Sequence, residues 1–213
     1  ELEQRVARRT SELAALNREL EAFSYTVSHD LRAPLRHIEG FGRALLEDYY
    51  EAFDDTGKLH LTRLCSAARK MGQLIDDLLR LAMVSKGEIN RRPTNLSTIA
   101  HGIVQDLTLS QPERAVAFRI TDGIEVNGDP RLLQVVMENL LSNAWKYTGK
   151  RQDAVIEFGV GEDRGRTVFF VRDNGVGFAN EHAEKIFKPF LRLHSAEDYE
   201  GSGVGLATVR RIV

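Results

Sequence analysis

The chain has 213 residues, 42% hydrophobic and 28% charged, with a formal net charge of −2. That length fits one or two domains of an ordinary globular protein, and the near-neutral charge gives no global basic field for nucleic acid. The single cysteine, Cys65, excludes a disulfide framework within the chain and fits a reducing, cytosolic setting; no apolar run approaches the roughly 20 residues of a membrane span. Residue 1 is Glu rather than Met and no signal peptide opens the chain, so it reads as an excised fragment.

Residues 1 to about 52 read as one long helix. Leu2, Val6, Leu13, Leu16, Leu20, Phe23 and Val27 step by three and four, with Arg9 in the one polar slot. This 3.5-residue repeat is a coiled-coil seam. In its register Val27 and Asp30 fall on the seam and His29 falls outside it. Pro34 removes a backbone donor and is expected to bend the helix. One amphipathic helix cannot bury its own stripe, so a partner is required. Leu61, Leu64, Ala68, Met71, Ile75, Leu78 and Ala82 repeat the stepping downstream, after a polar turn at Asp54-Asp55-Thr56-Gly57. The two helices form an antiparallel hairpin. Two hairpins from two chains close a four-helix bundle, and the seam upstream favours a parallel homodimer over a monomeric hairpin packed on the second half.

Ser85-Lys86-Gly87 is expected to end the second helix, with Gly87 as C-cap, and Arg91-Arg92-Pro93 marks the boundary. Beyond it the periodicity is mixed. Residues 96–109 read as a helix, and 116–120 and 124–126 as short strands around Asp122-Gly123. Residues 130–147 read as a strong helix, with Asp129 as N-cap and Pro130 at its first position. Residues 155–160 and 167–171 read as a strand pair joined by a turn at 162–165. The pattern is an α+β sandwich, helices packed on one face of a mixed sheet.

Three clusters in this half carry chemistry. Asp173-Asn174-Gly175-Val176-Gly177-Phe178 follows a strand; its glycines allow a ligand close approach, and the aspartate can accept from an exocyclic amine such as that of adenine. Alone, it fits a β-turn equally well. Gly201-Ser202-Gly203-Val204-Gly205-Leu206 opens a helix near Val204, where backbone N–H groups can face phosphate oxygens. It is neither a P-loop nor a dinucleotide fingerprint. Asn139, Asn143 and Lys146 share one side of the 130–147 helix. Their amide oxygens can ligate Mg²⁺ and the ammonium can contact phosphate, although surface or capping roles suit them too.

In this order the three clusters resemble the N, G1 and G2 boxes of the Bergerat ATP-binding fold, shared by gyrase-type ATPases and histidine kinases. Ile186-Phe187-Lys188-Pro189-Phe190-Leu191-Arg192 resembles the F box, which makes 188–202 the expected ATP lid, a mobile loop that orders over nucleotide. Residues 23–36, Phe23-Ser24-Tyr25-Thr26-Val27-Ser28-His29-Asp30-Leu31-Arg32-Ala33-Pro34-Leu35-Arg36, resemble the H box of the histidine kinase phosphoacceptor domain, closest to the phytochrome-like group. The resemblance covers nearly the whole chain. It implies a coiled-coil signalling helix over 1–22, a dimerisation and phosphoacceptor domain over 23–87, a linker over 88–93 and an ATP-binding domain over 94–213.

The roles follow from the resemblance. His29 attacks the γ-phosphorus of ATP, with Asp30 as general base or ring-orienting group. Asn139 and Asn143 hold Mg²⁺, and Lys146 and Arg192 neutralise phosphate charge. Tyr147 lines the pocket, and Phe187 of the F box is a further ATP-binding residue. Asp173 reads adenine against Gly175 and Gly177, and Gly201, Gly203, Gly205 and Leu206 position lid and phosphates. The implied partners are a second copy of the chain, a response-regulator receiver domain and an upstream sensor domain, with no nucleic acid and no membrane contact by this fragment. Two departures matter. Ala33 stands where phosphatase-active relatives carry Thr or Asn, so weak phosphatase activity is expected. The family also usually continues beyond the position of Val213 with the rest of its helix and further strands. The rival readings are a gyrase-type ATPase, with Glu138 as the water-activating carboxylate, and a non-catalytic dimerising scaffold.

Overall fold

The computed structural model describes residues 2–83, 89–195 and 198–213. The chain divides into two compact units, Glu1–Ser85 and Lys86–Val213. The expected C-cap at Gly87 lies outside the described residues.

The first unit is a helical hairpin. Helix α1 spans Leu2–Asp48 and runs unbroken through Pro34; a single 3₁₀ turn, Tyr50–Ala52, leads to α2, Asp55–Met83. Asp54 caps α2, accepting the Gly57 N–H on Oδ1 at 2.7 Å. Thr56 and Gly57, expected in the connecting turn, therefore lie in the first turn of α2. The helices are antiparallel, tied by Arg32 Nε to Asp76 at 2.8 Å and by Arg69 to Glu39 at 3.1 Å.

The contact face differs from the expected seam by one residue. On α1, Ser28, Leu35 and Gly42 are buried, with Arg32, Glu39 and Leu46 half-buried beside them. They face Cys65, Ala68, Ile75 and Leu79 of α2, all buried. Small side chains set this register: a Cβ at Gly42 would lie 2.5 Å from the Cys65 Sγ, so only glycine lets the helices approach there. Val27 and Asp30, expected on the seam, are exposed. A second apolar stripe, Val27, Leu31, Ile38, Phe41 and Leu45, is displaced from the hairpin seam by about one residue and faces solvent. Leu64, Met71 and Leu78 do the same on α2. The single stripe read on the second helix thus splits in two: Ala68 and Ile75 pack within the hairpin, and the alternate residues point out.

The second unit contains β1 (Arg92–Asn95), α3 (Leu96–Ser110), β2 (Val116–Ile120), β3 (Glu125–Gly128), α4 (Pro130–Tyr147), β4 (Ala154–Asp163), β5 (Arg166–Asp173) and α5 (Gly205–Ile212). Two short 3₁₀ turns, Asn180–His182 and Lys185–Phe187, precede α5. The strands form two open sheets. One pairs β1 with β3 antiparallel; the other is mixed, ordered β2-β4-β5, with β2 parallel and β5 antiparallel to β4.

The strands flanking Asp122-Gly123 therefore do not pair with each other. Ser97 of α3 explains why. Its hydroxyl donates to Thr121 O at 2.7 Å and accepts from Ile124 N at 3.0 Å, so a side chain takes the backbone groups at the corner. The two strands separate into different sheets. Arg92 and Pro93, read as linker, form the start of β1, partnered with Gly128 and Asn127. The β4–β5 connection is tighter than the four-residue turn expected. Arg164 and Gly165 have φ of 50° and 75°, the pattern of a two-residue type I′ hairpin, and the strands run up to them.

Helices α3 and α4 cover one face of the mixed sheet. Leu141 is fully buried, and Ile156 and Phe158 of β4 are 1% exposed. Each such side chain contributes roughly 1.5–3 kcal/mol by leaving water. Trp145 anchors α4 to the sheet: its ring stacks on Phe118 at 5.9 Å, and the Arg114 guanidinium lies over it at 4.0 Å. At the other end Asp129 caps α4 through the Arg131 N–H at 3.0 Å and accepts the Asn90 N–H at 3.0 Å. The Arg131 side chain, first among these partners, holds this carboxyl well below the usual carboxylate range. Among the described residues no helix is long and apolar enough to cross a membrane.

Candidate functional site

In the first unit His29 sits on α1 with its side chain 72% exposed. Its Nδ1 lies 3.2 Å from Asp30 Oδ1. A proton on Nδ1 would be held by that carboxylate, leaving the Nε2 lone pair directed at solvent. The helix sets this outward direction, because the adjacent Ser28 is the residue that packs against α2. Ala33, one turn on, is half-buried.

In the second unit α4 carries four of the candidate residues. Asn139 donates from Nδ2 to Val135 O at 2.7 Å, so its amide oxygen turns the other way, to the start of α5. A Cβ at Gly205 would collide with that oxygen, so glycine permits the approach. Asn143 Oδ1 accepts from Lys146 Nζ at 3.2 Å. Lys146 is largely desolvated and lies close to Arg192; burial first, then the neighbouring charge, lower its pKa to about 8. Its ammonium sits 4.3 Å over the Tyr147 ring and would lie 3.1 Å from a Cβ at Gly201.

The end of β5 meets the end of α4. Asp173 Oδ1 accepts the Gly175 N–H at 2.8 Å, and Val176 N donates to Tyr147 O at 3.2 Å. A Cβ at Gly175 would stand 2.5 Å from Tyr147 O, and this close approach fixes the glycine. Gly177 has φ of 62°. Asn174, which the sequence reading did not single out, braces the loop: it accepts from Val155 N and donates to Asp153 O, both at 2.8 Å.

The segment after the F box folds back on these walls. Phe187 lies in the 3₁₀ turn, with the Arg210 guanidinium 5.8 Å over its ring. Phe190 N donates to Gly203 O at 3.0 Å, and both residues have positive φ, 63° and 75°. His194 Nε2 lies 3.0 Å from Gly177 O. The rings of Tyr147, His194 and Tyr199 form a cluster with centroids 5.2–5.6 Å apart. Arg192 donates to the carbonyls of Ser195 and Tyr199, bonds within its own segment. Lys150 pairs with Asp198. His194, Tyr199, Lys150 and Asp198 were not singled out from the sequence. For His194, Tyr199 and Asp198 the one signal was the polar composition of 188–202, which says nothing about contacts. Leu206 is half-buried in the first turn of α5, next to Gly205.

The arrangement brings Asn139, Asn143, Lys146, Tyr147, Asp173, Gly175, Gly177, Gly201 and Gly205 around one wall of the second unit. Such a set can hold a nucleotide: a carboxylate beside closely packed glycines, the Asn139 amide oxygen facing a glycine-rich helix start, and cations near them. Among the described residues no group of three His, Cys, Asp or Glu side chains gathers to hold a metal. A hard cation would fit amide and phosphate oxygens instead, the donor type that Mg²⁺ prefers. Glu138, the carboxylate a nucleotide hydrolase would need, accepts Gln134 Nε2 at 3.0 Å.

Comparison with known proteins agrees with both halves. Residues 19–87 match the His Kinase A (phospho-acceptor) domain, and residues 128–213 match the histidine kinase-, DNA gyrase B-, and HSP90-like ATPase family. The chain is 38% identical over 205 residues to cyanobacterial phytochrome B of Nostoc sp., covering 95% of this chain and 27% of that protein. It is 38% identical over 206 residues to the methanogenesis regulatory histidine kinase FilI of Methanothrix harundinacea, covering 96% and 23%. The chain thus spans about a quarter of the length of these relatives. Full-length ShkA, solved with AMPPNP, shares the fold at a TM-score of 0.62 and 22% identity, over 89% of this chain and 40% of that one. Acinetobacter baumannii histidine kinase AdeS does so at 0.53 and 19%, over 86% and 85%. With an acceptor hairpin, an ATP-binding domain and relatives that are kinases along nearly its whole length, the chain belongs to the sensor histidine kinases and comprises their catalytic core.

Proposed function

We propose that this core moves the γ-phosphoryl group of ATP onto Nε2 of His29, and that a receiver domain of a response regulator then takes it onto an aspartate. The observation that carries this reading is the exposed His29 imidazole, with Asp30 on Nδ1 and the opposite nitrogen open. In the step, the Nε2 lone pair forms the N–P bond. The bond from the γ-phosphorus to the β–γ bridging oxygen breaks, and its electron pair leaves on ADP. The imidazole gains positive charge, which Asp30 is placed to balance through Nδ1.

The second unit binds and orients. Asp173 accepts the adenine amine, Tyr147 walls the base, and Lys146 meets phosphate charge from behind. Asn139 and Asn143 would hold Mg²⁺, which supplies charge neutralisation along the triphosphate. Arg192 serves first as a brace of its own segment. The exposed stripe of Leu31, Ile38, Phe41, Leu45, Leu64, Met71 and Leu78 supports a homodimer through the hairpin, since contiguous apolar surface on both helices calls for a partner. Below His29 the hairpin carries an open groove of about 380 Å³, lined by residues that include Arg36, Arg69 and Asp77. Its charged side chains suit transient docking of the receiver.

Incubation with γ-labelled ATP and Mg²⁺ tests the reading. Acid-labile, base-stable label on the protein, lost in His29→Gln with ATP binding retained, is the expected outcome. Release of free phosphate with no labelled protein would replace it with a hydrolase, and neither product would leave a dimerising scaffold.

A further inference from the structure

Lys150 has no part in the roles given above, yet it stands beside them. It follows the end of α4, close to Lys146 and Tyr147, and its ammonium pairs with Asp198. It also lies 5.2 Å over the Tyr199 ring, and Tyr199 packs on Tyr147 at 5.2 Å. Lys146 lies over the same Tyr147 ring at 4.3 Å. The two lysines therefore lie over one pair of tilted, packed aromatic rings. With Arg192 they place three cations along this wall. Asp198 is the carboxylate that pairs with Lys150, its second oxygen accepting the Ser195 hydroxyl at 2.9 Å. The pairing holds Asp198 below its ordinary range, through Lys150 first and Ser195 next, and raises Lys150.

We propose that Lys150 is a further nucleotide-binding residue, and that Asp198 is its resident counter-ion, displaced by the phosphates of the incoming nucleotide. The inference rests on the ATP-site reading and adds to it an exchange of ion pairs. A polyphosphate carries several negative charges against the single charge of Asp198, and an ammonium group accepts either partner without geometric preference. Once the phosphates take Lys150, Asp198 loses its cation and is repelled by the same charge. Release of the Asp198–Tyr199 segment from Lys150 is then coupled to capture of the triphosphate. Adenosine, lacking phosphates, leaves the pair intact.

Titration of the whole chain with ATP and with adenosine separates the outcomes, read by calorimetry and by displacement of a fluorescent nucleotide. Lys150→Gln is expected to weaken ATP binding by about tenfold and Lys150→Arg to restore it, with adenosine affinity unchanged in both. Asp198→Asn is expected to tighten ATP by up to about fivefold, again with adenosine unchanged. In the Lys150→Gln background the Asp198 change should have a smaller effect than in the wild-type chain, since no ion pair remains to exchange. Weaker ATP binding in Asp198→Asn, equal shifts for adenosine and ATP, or unaltered ATP binding in Lys150→Gln would overturn the exchange. A wild-type chain that binds no adenine nucleotide would instead strike the reading of the site itself.

Discussion

The two units bury apolar surface in opposite ways. The nucleotide-binding unit closes its core within one chain, with Leu141, Ile156 and Phe158 sealed between two helices and a sheet. The hairpin closes only half of its own. Leu35, Ala68 and Ile75 meet inside it, while a second stripe of large side chains on both helices faces solvent. The difference is one of self-sufficiency. A sheet with helices on one face completes its core alone, whereas two helices leave a stripe that another pair must cover. On the function proposed above, the donor half stands as one copy and the acceptor half as two.

That contrast can be broken at its strongest point first. Replacing Ile38 and Met71 together by Glu puts charge into the outward stripe, and a dimer held there should weaken by at least about a hundredfold. Sedimentation over a concentration series reads this directly; an unchanged dimer would mean that the stripe is not the interface. Next in size, Leu141→Ala should cost the nucleotide unit about 2–5 kcal/mol and lower its Tm, with the oligomeric state unmoved. Differential scanning calorimetry with sedimentation on the same sample decides whether the two halves are as independent as their cores imply.

A smaller effect concerns pH. Lys146 is charged below about 8 and neutral above it, so ATP affinity should fall as pH rises through that value, by up to about tenfold. Binding measured just above it should take up a proton. The stability linkage has the opposite sense: the unfolded lysine keeps its proton to higher pH, so this residue favours folding increasingly as pH rises from about 8 toward 10.5. Calorimetric titration in buffers of different ionisation enthalpy checks the proton count. Smallest of all, Asp76→Asn removes the exposed partner of Arg32 in the hairpin and should change stability by less than about 1 kcal/mol in a denaturant melt. A larger loss would mean that hairpin pairing relies on polar contacts more than on its apolar seam.

Much of this was readable from residue order. The 130–147 helix, with Asp129 and Pro130 opening it, was legible because capping chemistry is local. So were the glycine clusters, because only glycine permits the approaches at Gly175 and Gly205. What escaped was non-local. The first strand hides in Arg92–Asn95, where a proline and an arginine read as linker and only pairing with the strand before α4 makes a sheet. The one-residue displacement of the hairpin seam depends on Ser28 and Gly42, residues too small to register as hydrophobic periodicity. The pairing of Lys150 with Asp198 joins positions far apart in the chain, and polar composition around Asp198 carries no address.

The parallel pairing of β2 with β4 has a consequence in time. Parallel neighbours cannot be joined by a tight turn, so the chain between them, bearing β3 and α4, must cross over before the mixed sheet exists. The amides and ammonium of α4 thus face their glycine partners only after distant segments have met. The hairpin needs only two helices and a short connection, which form quickly from neighbouring sequence. As the chain leaves the ribosome, the segments of the hairpin emerge first and those of the nucleotide wall last. A nascent chain therefore presents the residues of the His29 helix before those that build the α4 wall.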